Sequence, residues 1–412
     1  MIETISRSGL SRQTLLVNTE MPPFPEERVL RQSVSRQANR RGVSIFFFLH
    51  GLCFASWASR IPTIQSELNL SASSLGTILF ALPLGFFISL AFAGWLIAKI
   101  GSKKAVVLSS TLYSLSLVGI GLSTSPLQVA ASLLLFGFFA NMLNISVNTQ
   151  AVAVEELYQK RLMATFHGLW SVAGFAGAAF GTWMIGKSVP PLQHFIFVCL
   201  FVLIGIAISA FYLVEKDKQT DKKNPILALP DKSLLGLGFI AFCSMMVEGA
   251  MFDWSGVYFM NVIKVNSELT GIGYTTFMVS MAGMRFLADA LAGRFGLRWI
   301  LQTSGMLATL GLLLAVVLPQ LIPSLLGFLL IGMGVSSVVP MVYSAAGKSK
   351  SMSAGMAITA VSSLGFMGFL IGPPLMGFLA DASSLRGSFL ALTIMSVAVV
   401  VISSLLRRQE NN

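Results

Sequence analysis

The residues able to do chemistry in this chain are polar side chains set inside long apolar runs. Glu248 and Asp253 lie within the stretch 234–260, where a charge at mid-depth costs about 2.5–3.5 kcal/mol. At 1.5 Å per residue, Glu248 sits roughly 22 Å along that run. A carboxyl at that depth is either a proton-exchanging group or a structural one bonded to a neighbouring helix. Asp253, five positions on, points about 140° away on a helix, nearer the far mouth and beside Trp254. In the run 127–152, Asn141, Asn144 and Asn148 follow one another at spacings of three and four, which sets three amides along one helical stripe. Such a stripe offers donors and acceptors to a sugar or another polar solute, or else bonds the helix to its neighbours. His50 and Trp57, seven apart in the run 43–65, share a face and form an aromatic platform with a titratable neighbour. His167 precedes a glycine stripe, and Ser336 and Tyr343 are a further pair seven apart. These residues are the candidate binding and coupling set. Arg285 and Asp289, one turn apart in the run 269–292, are expected to form an i,i+4 ion pair. Arg60 is expected to snorkel to the far surface.

What must position these groups is a set of membrane-spanning helices. Of 412 residues, 55% are hydrophobic and 11% charged, against about a quarter charged in a soluble domain. A spanning helix needs roughly 20 apolar residues, and such runs lie near 43–65, 73–97, 104–123, 127–152, 163–186, 194–214, 234–260, 269–292, 299–318, 321–345, 353–378 and 387–406. Residues 1–42 are polar, and Pro22, Pro23 and Pro25 argue against a helix there, so a disordered tail is expected. Of the 28 lysines and arginines, 23 fall in one alternate set of gaps, 4 in the other and Arg285 within a span. The positive-inside rule then places both termini in the cytoplasm. The net charge of +11 belongs on the anionic-lipid face and calls for no nucleic acid. Cys53, Cys199 and Cys243 all lie in spans without metal-ligand spacing and read as small buried apolar residues. No metal, cofactor or catalytic motif is present, and H-E-x-x-H is absent, which argues against an enzyme.

The chain divides near its middle. A charged stretch at 215–232 reads as a cytoplasmic linker between 43–214 and 233–406, with 407–412 as a short tail. The two parts repeat one another. Ser171, Gly174, Gly177 and Gly181 recur as Ser362, Gly365, Gly368 and Gly372; Lys99-Ile100-Gly101 recurs as Arg294-Phe295-Gly296; and Ser56-Trp57 recurs as Asp253-Trp254. A parallel repeat of six spans places a solute at mid-depth between the halves.

These motifs resemble the major facilitator superfamily over nearly the whole chain beyond the tail. Gly94 to Lys104 resembles that superfamily's loop between spans two and three, with Ala98 where the family has an acid. Gly283, Arg285, Asp289, Arg294 and Gly296 resemble the counterpart loop in the second half. Ala55 to Pro62, Phe166-His167-Gly168 and Gly332 to Pro340 are similar to a bacterial branch near the fucose-permease-like sugar transporters. The resemblance implies an all-α polytopic membrane protein, with about 12 transmembrane helices in two pseudo-symmetric six-helix bundles. It implies a cavity lined by spans one, four, seven and ten, with Arg285, Asp289, Lys99 and Arg294 as gating residues. The combined expectation is a monomer in the bacterial inner membrane, bathed in lipid, that moves a small polar or sugar-like solute by alternating access with H+ as the coupling ion. An efflux antiporter of the same fold is the alternative; a receptor or intramembrane enzyme is the remote one.

Overall fold

Serines and prolines mark where the helices begin. Ser71, Ser125, Ser353 and Ser384 each accept a hydrogen bond from a backbone N–H in the first turn that follows, and Pro126 and Pro191 open their helices at the position where a missing N–H costs nothing. The computed structural model describes residues 25–160, 162–215, 230–349 and 351–406, with the backbone alone for 25–35, 164, 288–290 and 354. The described helices are α1 (Pro25–Glu67), α2 (Ala72–Leu79), α3 (Ala81–Leu122), α4 (Pro126–Tyr158), α5 (Met163–Gly186), α6 (Pro191–Ser209), α7 (Leu235–Tyr258), α8 (Ile272–Phe295), α9 (Leu297–Val317), α10 (Leu321–Val335), α11 (Val338–Ala346), α12 (Ala354–Ala382) and α13 (Leu385–Leu405). The first helix starts at Pro25 rather than near residue 43. Pro25 stands at its N-terminus, where proline is tolerated, and no proline follows until Pro62.

Ten helical runs among the described residues are long and apolar enough to cross a membrane. One of them, Ala72–Leu122, is 51 residues long, far more than the roughly 20 that a crossing needs. It breaks at Gly101 and so makes two crossings. The 24 residues of α8 make a further one, which brings the count to the twelve expected. Large apolar side chains that stay exposed form outward stripes, such as Phe197, Phe201, Ile204 and Ile208 on α6. A soluble surface avoids such stripes, and lipid favours them.

The repeat is visible in the backbone. Gly101 has φ 80° and ψ 156°, and Gly296 has φ 82° and ψ 165°. Among the described residues nothing lies near either α-carbon on the side where a side chain would stand, and glycine is needed there for the dihedral. Packing repeats as well. In the first bundle α1 lies on α5, and in the second α7 lies on α12. The glycine stripes make those contacts: Gly177 meets α1 at Leu52 and Ala55, and Gly368 meets α7 at Phe242. Between the bundles, α5 meets α8, α2 meets α12 and α1 meets α7. The end of the molecule that carries Lys99, Arg294 and Lys348 is called the basic face below, and the other end the far face.

Candidate functional site

The second bundle supplies the charges. Glu248 lies midway along α7, and Arg285 reaches it from the adjacent α8, with Arg285 Nη2 donating to Glu248 Oε1 at 3.1 Å. Arg285 Nη1 donates at 2.7 Å to Ser171 Oγ on α5 of the first bundle. The guanidinium also lies 5.9 Å from the centroid of the Trp170 ring. One arginine therefore ties a carboxylate of its own bundle to the wall of the other. The side chains are 23% and 14% exposed, so the pair is largely out of water and still reachable. Removing one member of such a pair leaves an uncompensated charge. The expected partner of Arg285 was Asp289, one turn away, whose side chain lies outside the described residues. The pairing seen among the described side chains runs between helices.

Aromatic rings surround this pair. Phe54 stands 6.1 Å from Trp170 and 5.3 Å edge-on from Phe252, which brings the two bundles together through α1 and α7. His50 packs edge-on against Tyr113 and Trp170. His167 is exposed and sits edge-on to Phe47. Tyr343 is half-buried, with its hydroxyl 3.9 Å from Met245 Sδ. Farther along, Asp253 is buried and is an electrostatic neighbour of Tyr274. The hydroxyls of Tyr113 and Tyr274 are buried without a hydrogen-bond partner among the described residues. Polar groups in that condition are costly unless something meets them.

Other expected site residues are placed differently. Asn141 is buried, and its amide donates to Phe86 O at 3.1 Å and to Ser89 Oγ at 2.7 Å, binding α4 to α3. Asn144 and Asn148 stay half-buried and bond to each other at 3.0 Å. Trp57 and Trp254 are 1% and 0% exposed, so neither is an open platform. Both indole N–H groups lack a partner among the described residues, another sign of the repeat. Ser336 is buried at the break between α10 and α11 and donates to Met333 O at 2.8 Å. Lys99 and Arg294 are exposed, each lying over an aromatic neighbour, Trp95 at 4.9 Å and Phe295 at 5.2 Å. Arg60 does not snorkel. It is 1% exposed and donates from Nε to His194 Nδ1 at 3.1 Å.

Some structural residues carried no signal in the sequence. Gln150 donates to Ser102 Oγ at 2.6 Å and to Val214 O at 2.9 Å, and accepts from Val214 N at 2.8 Å. It thereby pins α4 to the turn at Gly101. At the far face, Asp381 on α12 accepts from the backbone N–H groups of Ala72 and Ser73 at 3.2 and 3.0 Å. A carboxylate suits a helix N-terminus, and this one joins the bundles. Gly76 and Gly377 meet the partner backbone beside it, where a Cβ on Gly76 would lie 2.6 Å from Pro373 O. Pro62 of α1 packs on Gly256 of α7 at the same end. On the basic side of Glu248, by contrast, His167 is exposed, and Asn144, Asn148 and Tyr343 are partly so.

Comparison with known proteins gives one answer. The Major Facilitator Superfamily profile matches residues 43–350 and 237–412. An uncharacterised transporter of Sinorhizobium fredii is 31% identical over 372 residues, covering 89% of this chain and 98% of that protein. An uncharacterised MFS-type transporter of Yersinia pestis is 29% identical over 374 residues, covering 90% and 96%. Among solved structures, an inward-facing bacterial homologue of the human lysosomal transporter Spinster superposes with a TM-score of 0.72 at 13% identity, covering 90% of this chain and 97% of that one. The E. coli fucose:proton symporter superposes with a TM-score of 0.60 at 15% identity, covering 90% and 98%. With twelve crossings, a repeated bundle and a charged centre between the halves, the chain belongs to the Major Facilitator Superfamily and is a membrane transporter.

Proposed function

We infer that the chain is a proton-coupled secondary transporter that imports a small polar solute by alternating access, with the Glu248–Arg285 pair as its coupling centre. The observation that carries this reading is the bridge itself: Arg285 holds Glu248 of one bundle and Ser171 of the other. A change in the protonation of Glu248 alters what Arg285 holds, and so alters the contact between the halves that must rock past each other. The positive-inside rule favours the basic face as cytoplasmic, with both chain ends there. The seal made by Asp381, Gly76 and Gly377 at the far face fits a conformer that admits solute from the cytoplasmic side. The half-buried Asn144–Asn148 pair is a neutral polar wall suited to solute hydroxyls. A single copy in a bacterial inner membrane satisfies this reading.

Reconstituted protein tests it. A solute found by thermal-shift screening of small metabolites is expected to accumulate in proteoliposomes when the outside is made acidic, and a protonophore is expected to abolish that accumulation. Accumulation that ignores the pH gradient would remove proton coupling. Net proton-driven extrusion, with raised drug tolerance on expression, would put an efflux antiporter in its place.

A further inference from the structure

Arg285 carries a permanent charge at a place shared by both bundles, and among the described residues its guanidinium makes two side-chain hydrogen bonds. A guanidinium meets a carboxylate best through two parallel N–H···O bonds. Here Glu248 is held through one oxygen at 3.1 Å, and the other arm of the fork goes to a neutral serine hydroxyl at 2.7 Å. The pair is thus an incomplete version of the strongest contact that Arg285 can make. Flat aromatic walls stand next to it, Trp170 beneath the guanidinium and Phe54 and Phe252 beyond. Past those walls lie the unpartnered hydroxyls of Tyr113 and Tyr274.

We propose that the solute is an organic anion, a small planar carboxylate that replaces Glu248 on Arg285 against the Trp170 ring, at the edge of the packed Trp170, Phe54 and Phe252 cluster, with its far end toward Tyr274. This rests on the reading of the Glu248–Arg285 centre as the solute site. The charges balance as follows. Before binding, the site holds one guanidinium and one carboxylate. The incoming carboxylate brings a second negative charge beside Glu248, and two carboxylates at one site do not both stay ionised. Glu248 therefore takes up one proton as the solute binds, and the site keeps its net charge. One proton accompanies each monocarboxylate. The other titratable groups around the pair are His167 on α5, His50 on α1, Tyr343 on α11 and Asp253 on α7; Asp289 stands one turn from Arg285 along α8. A neutral sugar would bring no charge and would have no reason to displace Glu248.

Benzoate and benzamide test this, because they share a shape and differ in charge. Calorimetry on the purified full-length protein, in buffers of different ionisation enthalpy, reads both affinity and proton uptake. The expected result is benzoate binding that strengthens as the buffer is acidified, with one proton taken up, and benzamide binding at least about tenfold weaker. In Glu248→Gln, benzoate is expected to bind without proton uptake and without that pH dependence. In Arg285→Gln, the preference for benzoate over benzamide disappears. Equal affinity for the two probes, no binding of either, or benzoate binding by Glu248→Gln that still takes up a proton would each overturn the proposal. The transport reading fails separately: proton-driven uptake of a neutral solute would refute the anion and leave the coupling centre standing, whereas benzoate binding with one proton taken up but no gradient-driven uptake would leave the anion site standing and refute the transport reading.

Discussion

In the first bundle the buried amides are neutral and tied to neighbouring segments: Asn141 to Phe86 and Ser89, and Gln150, nearer the basic face, to Ser102 and Val214. The second bundle holds Glu248, Arg285 and Asp253 in its interior, and the shortest contact of that group reaches out of the bundle to Ser171. The same backbone plan thus carries two electrostatic designs. The neutral half acts as a wall with fixed bonds, and the charged half holds the groups whose partners can change. Arg60, bonded to His194 near the far end of the first bundle, is the exception, and it lies away from the interface centre.

The contrast breaks most strongly at Arg285. Arg285→Gln leaves Glu248 without its counter-charge and is expected to cost about 3–5 kcal/mol of stability. The double variant with Glu248→Gln should recover most of that loss, because both members are then neutral. Unfolding in detergent across the four proteins measures the coupling, and additive losses would mean the pair does not act as one unit. In the first bundle, Asn141→Ala should cost about 1–3 kcal/mol by leaving buried acceptors unmet, while solute affinity stays unchanged. A loss of affinity at unchanged stability would return Asn141 to the solute site.

Where the bundles are alike, the same substitution should have the same effect. Gly101→Ala and Gly296→Ala each force a side chain into a positive-φ, extended-ψ backbone, costing about 1–3 kcal/mol, with open space around both among the described residues. Unequal losses by thermal unfolding would show that the two turns are not equivalent. The smallest effect is expected at Asp231, ahead of α7. The Ser351 hydroxyl, then that of Ser233, with the backbone N–H groups of Ser233 and Leu234, hold its carboxyl below the usual aspartate range. A depressed carboxyl stabilises the fold above its unfolded value and loses that contribution as pH falls through its folded value. The gap in unfolding temperature between the parent protein and Asp231→Asn should therefore be present at neutral pH and close in strong acid.

Much of the fold was legible because it depends on local pattern. Apolar run length marked the crossings, and the paired loops pointed to the turns at Gly101 and Gly296. The centre was only half legible, since depth along a run can be counted whereas orientation around a helix cannot. Glu248 stood out by depth alone. Its contact with Arg285 was not foreseen, because the i,i+4 rule looks along one helix and this contact spans 37 residues of sequence. The amide stripe was visible, but nothing in it showed that Asn141 turns toward α3. Arg60 read as a snorkelling residue until His194, 134 positions on, proved to be its partner. Asp381 and Ala72 are 309 apart, and no periodicity links them.

The central claim is that Glu248 couples proton movement to solute movement through Arg285. Proteoliposomes of Glu248→Gln, assayed both for solute exchange between equal pools and for accumulation driven by an acidic exterior, test it most directly. The account predicts that exchange continues while accumulation is lost. Accumulation at the parent level in that variant would contradict it.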